Sequence, residues 1–270
     1  MNSSKKITLK VGGKLADTER QAITGMASSR KIAIAAGVLY LITHVTSIGA
    51  RFLYGPILNN AGYITGSGAD AQVMVGVLFE VILALAVVGT AVALFPVVKR
   101  QNEGVALGYV GLRTLEAGVI AVGVVPLLAI ITLRQHLAVT AGASTETLLA
   151  VSNALVSFHH WTFLVGPGFI CGTNTVLMAY LMYKTGLVPR FIPVLGLIGG
   201  PLVFAYNTAL MFGLVEQISV WAAIAVIPIF SWELTLACWM IIKGFKPTAT
   251  TTTFALQTLS PETRFLTAER

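Results

Sequence analysis

Residues 72–98 read QVMVGVLFEVILALAVVGTAVALFPVV and are followed at once by Lys99 and Arg100. One ionisable residue, Glu80, interrupts this run. About 20 mostly apolar residues suffice to cross the hydrocarbon layer of a bilayer as a helix. The apolar residues do not alternate with polar ones, so the stretch does not read as a barrel strand, and in lipid only a helix satisfies its own backbone. The stretch is therefore a spanning helix, and the Lys-Arg pair marks where it leaves the membrane.

Five further segments pass the same test on either side of it. Residues 32–50, IAIAAGVLYLITHVTSIGA, form the first span; residues 106–133, 158–183, 191–215 and 218–242 form the third to sixth. The composition agrees. The chain has 270 residues, 56% hydrophobic and 11% charged, whereas an ordinary soluble domain carries about 25% charged residues. Such a chain cannot build a water-facing shell, and its apolar content excludes disorder. The fold expected is an all-α polytopic membrane bundle of six transmembrane helices.

The basic residues orient it. Placing the N-terminus in the cytoplasm puts 15 of the 18 Lys and Arg residues on the inside, among them Arg30, Lys31, Lys99, Arg100, Lys184, Arg190, Lys243 and Lys246. Arg51 and Arg134 then lie outside, and Arg113 within a span. The positive-inside rule thus predicts both termini in the cytoplasm. The formal net charge of +7 becomes an orientation signal facing anionic lipid, with no nucleic-acid partner implied. Residues 1–30 read as a polar, basic segment, 31–246 as the membrane domain and 247–270 as a threonine-rich flexible tail. With no apolar region ahead of the first span, that span is expected to act as an uncleaved anchor.

Ionisable groups at membrane depth are expensive, so each one marks a candidate site. There are five: His44, Glu80, Arg113, Glu116 and Glu233. Arg113 and Glu116 stand three apart and share one helix face with Tyr109. Counting about 1.5 Å per residue from each span's midpoint puts Glu116 and Glu233 at matching depth on the inner side. Glu233 is thus the expected cross-helix partner, and the pairing can serve as a clamp or as part of a substrate or ion site. His44 and Glu80 fall in the outer half, where Glu80 has a choice of His44 or Arg51. Three carboxylates against one guanidinium leave a surplus of buried acid, which fits a proton-coupled carrier and equally a protonated, hydrogen-bonded Glu.

Helix interruptions give a second cue. Gly166-Pro167-Gly168 is followed by Asn174, Gly199-Gly200-Pro201 by Asn207, and Pro228 precedes Glu233. Broken helices with polar residues nearby line transporter sites. Asn174 and Asn207 join the candidates on that ground. The Gly168/Gly172 and Gly196/Gly200 spacings also suit close helix contact. Between Arg134 and Ser157, Ser144 is placed to cap a helix, either lying at the interface or lengthening the fourth span. His159 and His160 follow in the outer aromatic belt and, with His44 and Glu80, define an outer pocket.

No HExxH, GxSxG or Walker spacing occurs. Cys171 and Cys238 sit in apolar runs without metal or redox spacing. No metal or cofactor is called for, membrane lipids are the expected neighbours, and oligomeric state is left open. Three stretches, ALGYVGLRTLEAGVIAVG (106–123), YLMYKTGLVPRFIPVLGLIGGPL (180–202) and SWELTLACWMIIKGF (231–245), together with RKIAIAAGVLYLITHV (30–45), resemble DUF4386. This is a family of bacterial multi-span proteins of unknown function. The resemblance implies a bacterial plasma-membrane protein and sets Arg113, Glu116, Pro189, Arg190 and Glu233 apart, but carries no activity. The leading expectation is transporter-like handling of a small molecule or ion through the Arg/Glu cluster. The alternatives are an intramembrane enzyme or lipid-binding protein using the outer His/Glu pocket, and a non-catalytic membrane partner.

Overall fold

The computed structural model describes residues 29–66, 68–137, 144–217 and 219–246. The expected cytoplasmic segment up to residue 28, part of the outer loop (138–143), Ile218 and the threonine-rich tail lie outside the described residues. Six helices are long and apolar enough to cross a membrane: α1 Ser29–Leu53, α2 Asp70–Val98, α3 Glu103–Leu137, α4 Thr145–Thr185, α5 Phe191–Met211 and α6 Val220–Ile242. Among the described residues there is no strand. With an even number of crossings, the start of α1 and the end of α6 share one face, called here the near face. The α1–α2, α3–α4 and α5–α6 connections share the far face.

Each helix buries one stripe and leaves large apolar side chains such as Leu85, Val125, Phe204 and Ile227 exposed around the bundle. In water this would be a liability, but lipid tails are as apolar as Leu. With no hydrophobic gain from burying apolar surface against a neighbour, helices associate through close packing, and small residues permit it. A Cβ on Gly200 would stand 2.6 Å from the Gly172 carbonyl oxygen, and one on Gly199 would stand 2.5 Å from the backbone nitrogen of Ile229. Hence α4 touches α5, and α5 touches α6, backbone to backbone.

The near half is solid. Ala33, Tyr40, Leu94, Tyr109, Met178, Trp232 and Met240 belong to one buried cluster drawn from all six helices. Gly37 of α1 presses against Ala237 and Ile241 of α6. The guanidinium of Arg30 donates to the carbonyls of Met240, Ile241 and Ile242 at 3.0, 2.6 and 3.1 Å. Those carbonyls belong to the last turn of α6, where no intrahelical donor remains. Gly244, with φ +73°, lets the chain turn away beside Arg30.

On the far face, the α1–α2 connection folds back as two short turns, Gly55–Leu58 and Ala61–Ile64. Tyr54, Ile57, Tyr63 and Ile64 pack from it onto Val73, Leu127 and Ile131. Arg134 then ties α3 to α2: its Nε donates to Asp70 Oδ1 at 2.9 Å, its Nη2 to Asp70 Oδ2, and its Nη1 to the Gly66 carbonyl at 2.9 Å. Tyr63 adds a hydrogen bond to Asp70 at 2.7 Å. Burial, and then that bond, push the Tyr63 phenol well above its ordinary value.

The proline-bearing helices depart from the sequence expectation. Neither α5 at Pro201 nor α6 at Pro228 is broken. In α4 the Gly-Pro-Gly segment is a π-helical stretch, Leu164–Ile170, inside an otherwise continuous helix. Proline lacks the N–H for the usual i−4 bond, and widening the turn to i−5 accommodates the ring without unwinding. Cys171 N–H accordingly reaches the Gly166 carbonyl. Ser144 does cap α4, accepting from the Thr147 N–H at 3.2 Å, and the helix runs unbroken to Thr185. At 41 residues it is about 60 Å long, roughly twice the hydrocarbon thickness, so part of it stands beyond the membrane or lies steeply tilted.

Candidate functional site

Beyond the solid near half, a cavity of about 550 Å³ opens between α1–α4 on one side and the α5–α6 hairpin on the other. Its floor is made by Arg113, Glu116 and Glu233, and its walls rise past His44 and Glu80 to His159, His160, Tyr206 and Gln217 near the far ends. The inner Arg/Glu cluster and the outer His/Glu pocket of the sequence reading are therefore parts of one space. The volume lies within the usual range for small-molecule sites.

Arg113 organises the floor. It is 2% exposed, and each of its three guanidinium nitrogens has a partner. Nε donates to the Tyr109 hydroxyl at 3.3 Å, Nη1 to Glu116 Oε2 at 3.1 Å, and Nη2 faces Glu233 Oε1 at 3.5 Å. Its carbon centre lies 5.3 Å from the Tyr40 ring centroid and 5.9 Å from that of Tyr109, within cation–π range. The two hydroxyls, 3.0 Å apart, share a hydrogen bond. The Tyr109–Arg113–Glu116 spacing of four and three residues puts all three on one face of α3, and Tyr40 reaches them from α1.

The three carboxylates are unequally supplied. Glu116 Oε2 also accepts from the Asn174 amide at 2.7 Å, so Asn174 stands behind Glu116 as its support and forms no part of the cavity wall. Glu80 accepts from the Tyr54 hydroxyl at 3.0 Å. This replaces both partners that the sequence offered it, His44 and Arg51. Glu233 has only long contacts: Arg113 at 3.5 Å and, from Oε2, His44 Nε2 at 3.7 Å.

His44 turns to Glu233 because its other nitrogen is already fixed. Nδ1 lies 2.9 Å from the Tyr40 carbonyl, which can only accept, so Nδ1 carries the proton and Nε2 points across the bundle. Phe230 of α6 packs edge-on against the ring at 4.9 Å. The contact with Glu233 brings His44 to the level of the inner cluster, whereas counting along the first span puts it in the outer half.

His159 is buried, and its Nδ1 donates to the Gly123 carbonyl at 2.8 Å. The Tyr54 ring meets it edge-on at 5.5 Å. It is thus a wall residue well inside α4, where the sequence reading had placed it in an interfacial belt; His160, one residue on, is exposed and also lines the cavity. Asn207 donates to Val203 O at 2.7 Å, and a Cβ on Gly168 would stand 2.8 Å from its Oδ1. The π-helical stretch contributes Leu164, Pro167 and Gly168 to the wall and sets Cys171 beside them. Tyr40 and Tyr54 were missed as participants; the available signal was a lone phenol four residues before His44 and another just past the end of the first span.

The six apolar helices around a charged internal cavity define a multi-pass membrane protein. Within that class, the family model described as a domain of unknown function, DUF4386, matches residues 35–244, and the chain belongs to that family. No curated protein and no solved structure matches it.

Proposed function

We propose that this protein handles a small molecule in the manner of a transporter, with the cavity as its binding chamber and the Arg113–Glu116–Glu233–His44 cluster as its coupling element. One observation carries this reading: a chamber of about 550 Å³ descends from the far ends and stops on buried charge above a closely packed seal. Access from one side only is the resting geometry of an alternating-access protein, in which one bundle of helices moves against another around a fixed site. The long contacts of Glu233 and the surplus of carboxylates over Arg113 supply groups that can exchange a proton when a ligand arrives.

The positive-inside rule applied to Arg30, Lys31, Lys99, Arg100, Lys184, Arg190, Lys243 and Lys246 of the near face supports both termini in the cytoplasm and the chamber mouth outside. With the bacterial distribution that the family resemblance implies, the membrane is the bacterial plasma membrane.

The test is uptake into liposomes reconstituted with the full chain, across a panel of small solutes, with and without an imposed pH gradient. Wild-type protein is expected to show gradient-dependent uptake of at least one solute, and Glu116→Gln to abolish the gradient dependence. An unchanged response in Glu116→Gln rules out coupling through this cluster. No uptake of any solute by wild type leaves the buried charge as a helix clamp.

A further inference from the structure

We infer that the chamber is built for an organic cation, an amine or quaternary ammonium with an apolar body, whose charged head is held by Glu233. This deepens the transporter reading and rests on it.

The fixed cation of the floor is not free. Arg113 spends Nε, Nη1 and Nη2 on Tyr109, Glu116 and Glu233, and Tyr40 and Tyr109 cover the guanidinium. An anionic ligand would have to expel one of these carboxylates into an apolar bundle, leaving a buried charge uncompensated. The capacity left among the buried ionisable groups is of the opposite kind. Glu233 Oε2 faces the chamber with His44 Nε2 at 3.7 Å, beyond direct hydrogen-bond distance. Glu80 spends one oxygen on Tyr54, and no described residue donates to the other. His44 and His159 each commit Nδ1–H to a backbone carbonyl. In the neutral ring the second nitrogen is then an acceptor.

An acceptor-rich wall calls for a donor or a positive charge. Around these acceptors the chamber is apolar and aromatic, with Phe230 beside Glu233 and Trp161, Phe163 and Tyr206 nearer the mouth. Ring faces attract cations as well as apolar surface, so the same wall accepts both ends of an amphiphilic ammonium ion.

The experiment compares three ligands with one apolar body and different heads: 4-phenylbutylamine (charged at neutral pH), 4-phenylbutanol and 4-phenylbutyrate. Binding is measured by calorimetry or tryptophan fluorescence to the full chain in nanodiscs of zwitterionic lipid, with empty nanodiscs subtracted. The amine is expected to bind wild-type protein about tenfold or more tighter than the alcohol, the worth of one charge-assisted contact, and the butyrate most weakly. Glu233→Gln is expected to bring the amine down to the level of the alcohol, while the alcohol keeps its affinity and so reports an intact chamber. Glu80→Gln should weaken the amine by a smaller factor.

Tightest binding of the butyrate, or equal binding of amine and alcohol, overturns the cation assignment and leaves the small-molecule reading standing. An amine preference that survives Glu233→Gln overturns Glu233 as the anchor. Absence of binding by all three overturns the assignment, and the uptake panel then decides the transporter reading separately. The wild-type ranking stands as a test even where a variant fails to fold.

Discussion

The two halves of the bundle use the same six helices in opposite ways. Toward the near face, α1 and α6 touch at Gly37 and Ala237, Arg30 closes the last turn of α6, and Tyr40, Leu94, Tyr109 and Trp232 fill the space between. Toward the far face, the α5–α6 hairpin stands off from α2 and α3, and the gap is the chamber. Small residues and apolar volume close one end. At the other, bulky aromatics and buried ionisable groups hold it open. The boundary between the two runs through Arg113, whose tyrosine neighbours belong to the packed half and whose carboxylates belong to the chamber. Closure and access are therefore separate properties, and each can be attacked alone.

The sharpest contrast is in reactivity. In a variant lacking Cys171 and Cys238, Ser47→Cys lies in the chamber wall and should react readily with a water-soluble thiol reagent added from the chamber side. Ala91→Cys, in the packed half, should not react. Equal labelling of the two positions would dissolve the distinction between halves. The next largest effect is on stability at the boundary. Arg113→Met strands two carboxylates and should cost about 3–5 kcal/mol, read as a lowered unfolding temperature in detergent. Adding Glu116→Gln to it should recover part of the loss, because one stranded charge is then gone.

The helices and the depth match of Glu116 with Glu233 follow from apolar runs and a fixed rise per residue. A helix's rotation does not follow from them, and neither does its partner. His44 therefore carried no sign that it would face α6. Glu80 likewise gave no hint of a phenol reaching it from Tyr54, beyond the end of the first span. The Gly-Pro-Gly of α4 announced an irregularity, but whether the chain would unwind or widen depended on neighbours that a linear reading cannot supply.

Smaller effects separate the halves further. Gly37→Val places its Cβ against the Ala237 carbonyl and Ile241 and should cost about 1–3 kcal/mol by forcing α1 from α6. It should also make Ala91→Cys begin to react. Gly118→Ala, whose added methyl meets nothing within 4 Å, should leave the unfolding temperature nearly unchanged, or raise it slightly, since Ala favours a helix over Gly by about 1 kcal/mol. A large loss there would mean that the exposed face of α3 is covered by a second copy or another protein.

The bond from Arg30 to Met240 spans 210 residues of chain. It joins the first of the described spanning helices to the last. Until α6 has emerged and inserted, α1 lacks the neighbour that Gly37 is shaped for, and the near face stays unsealed. Closure of the described bundle therefore waits on α6, with α1 held unpartnered in the bilayer until it arrives.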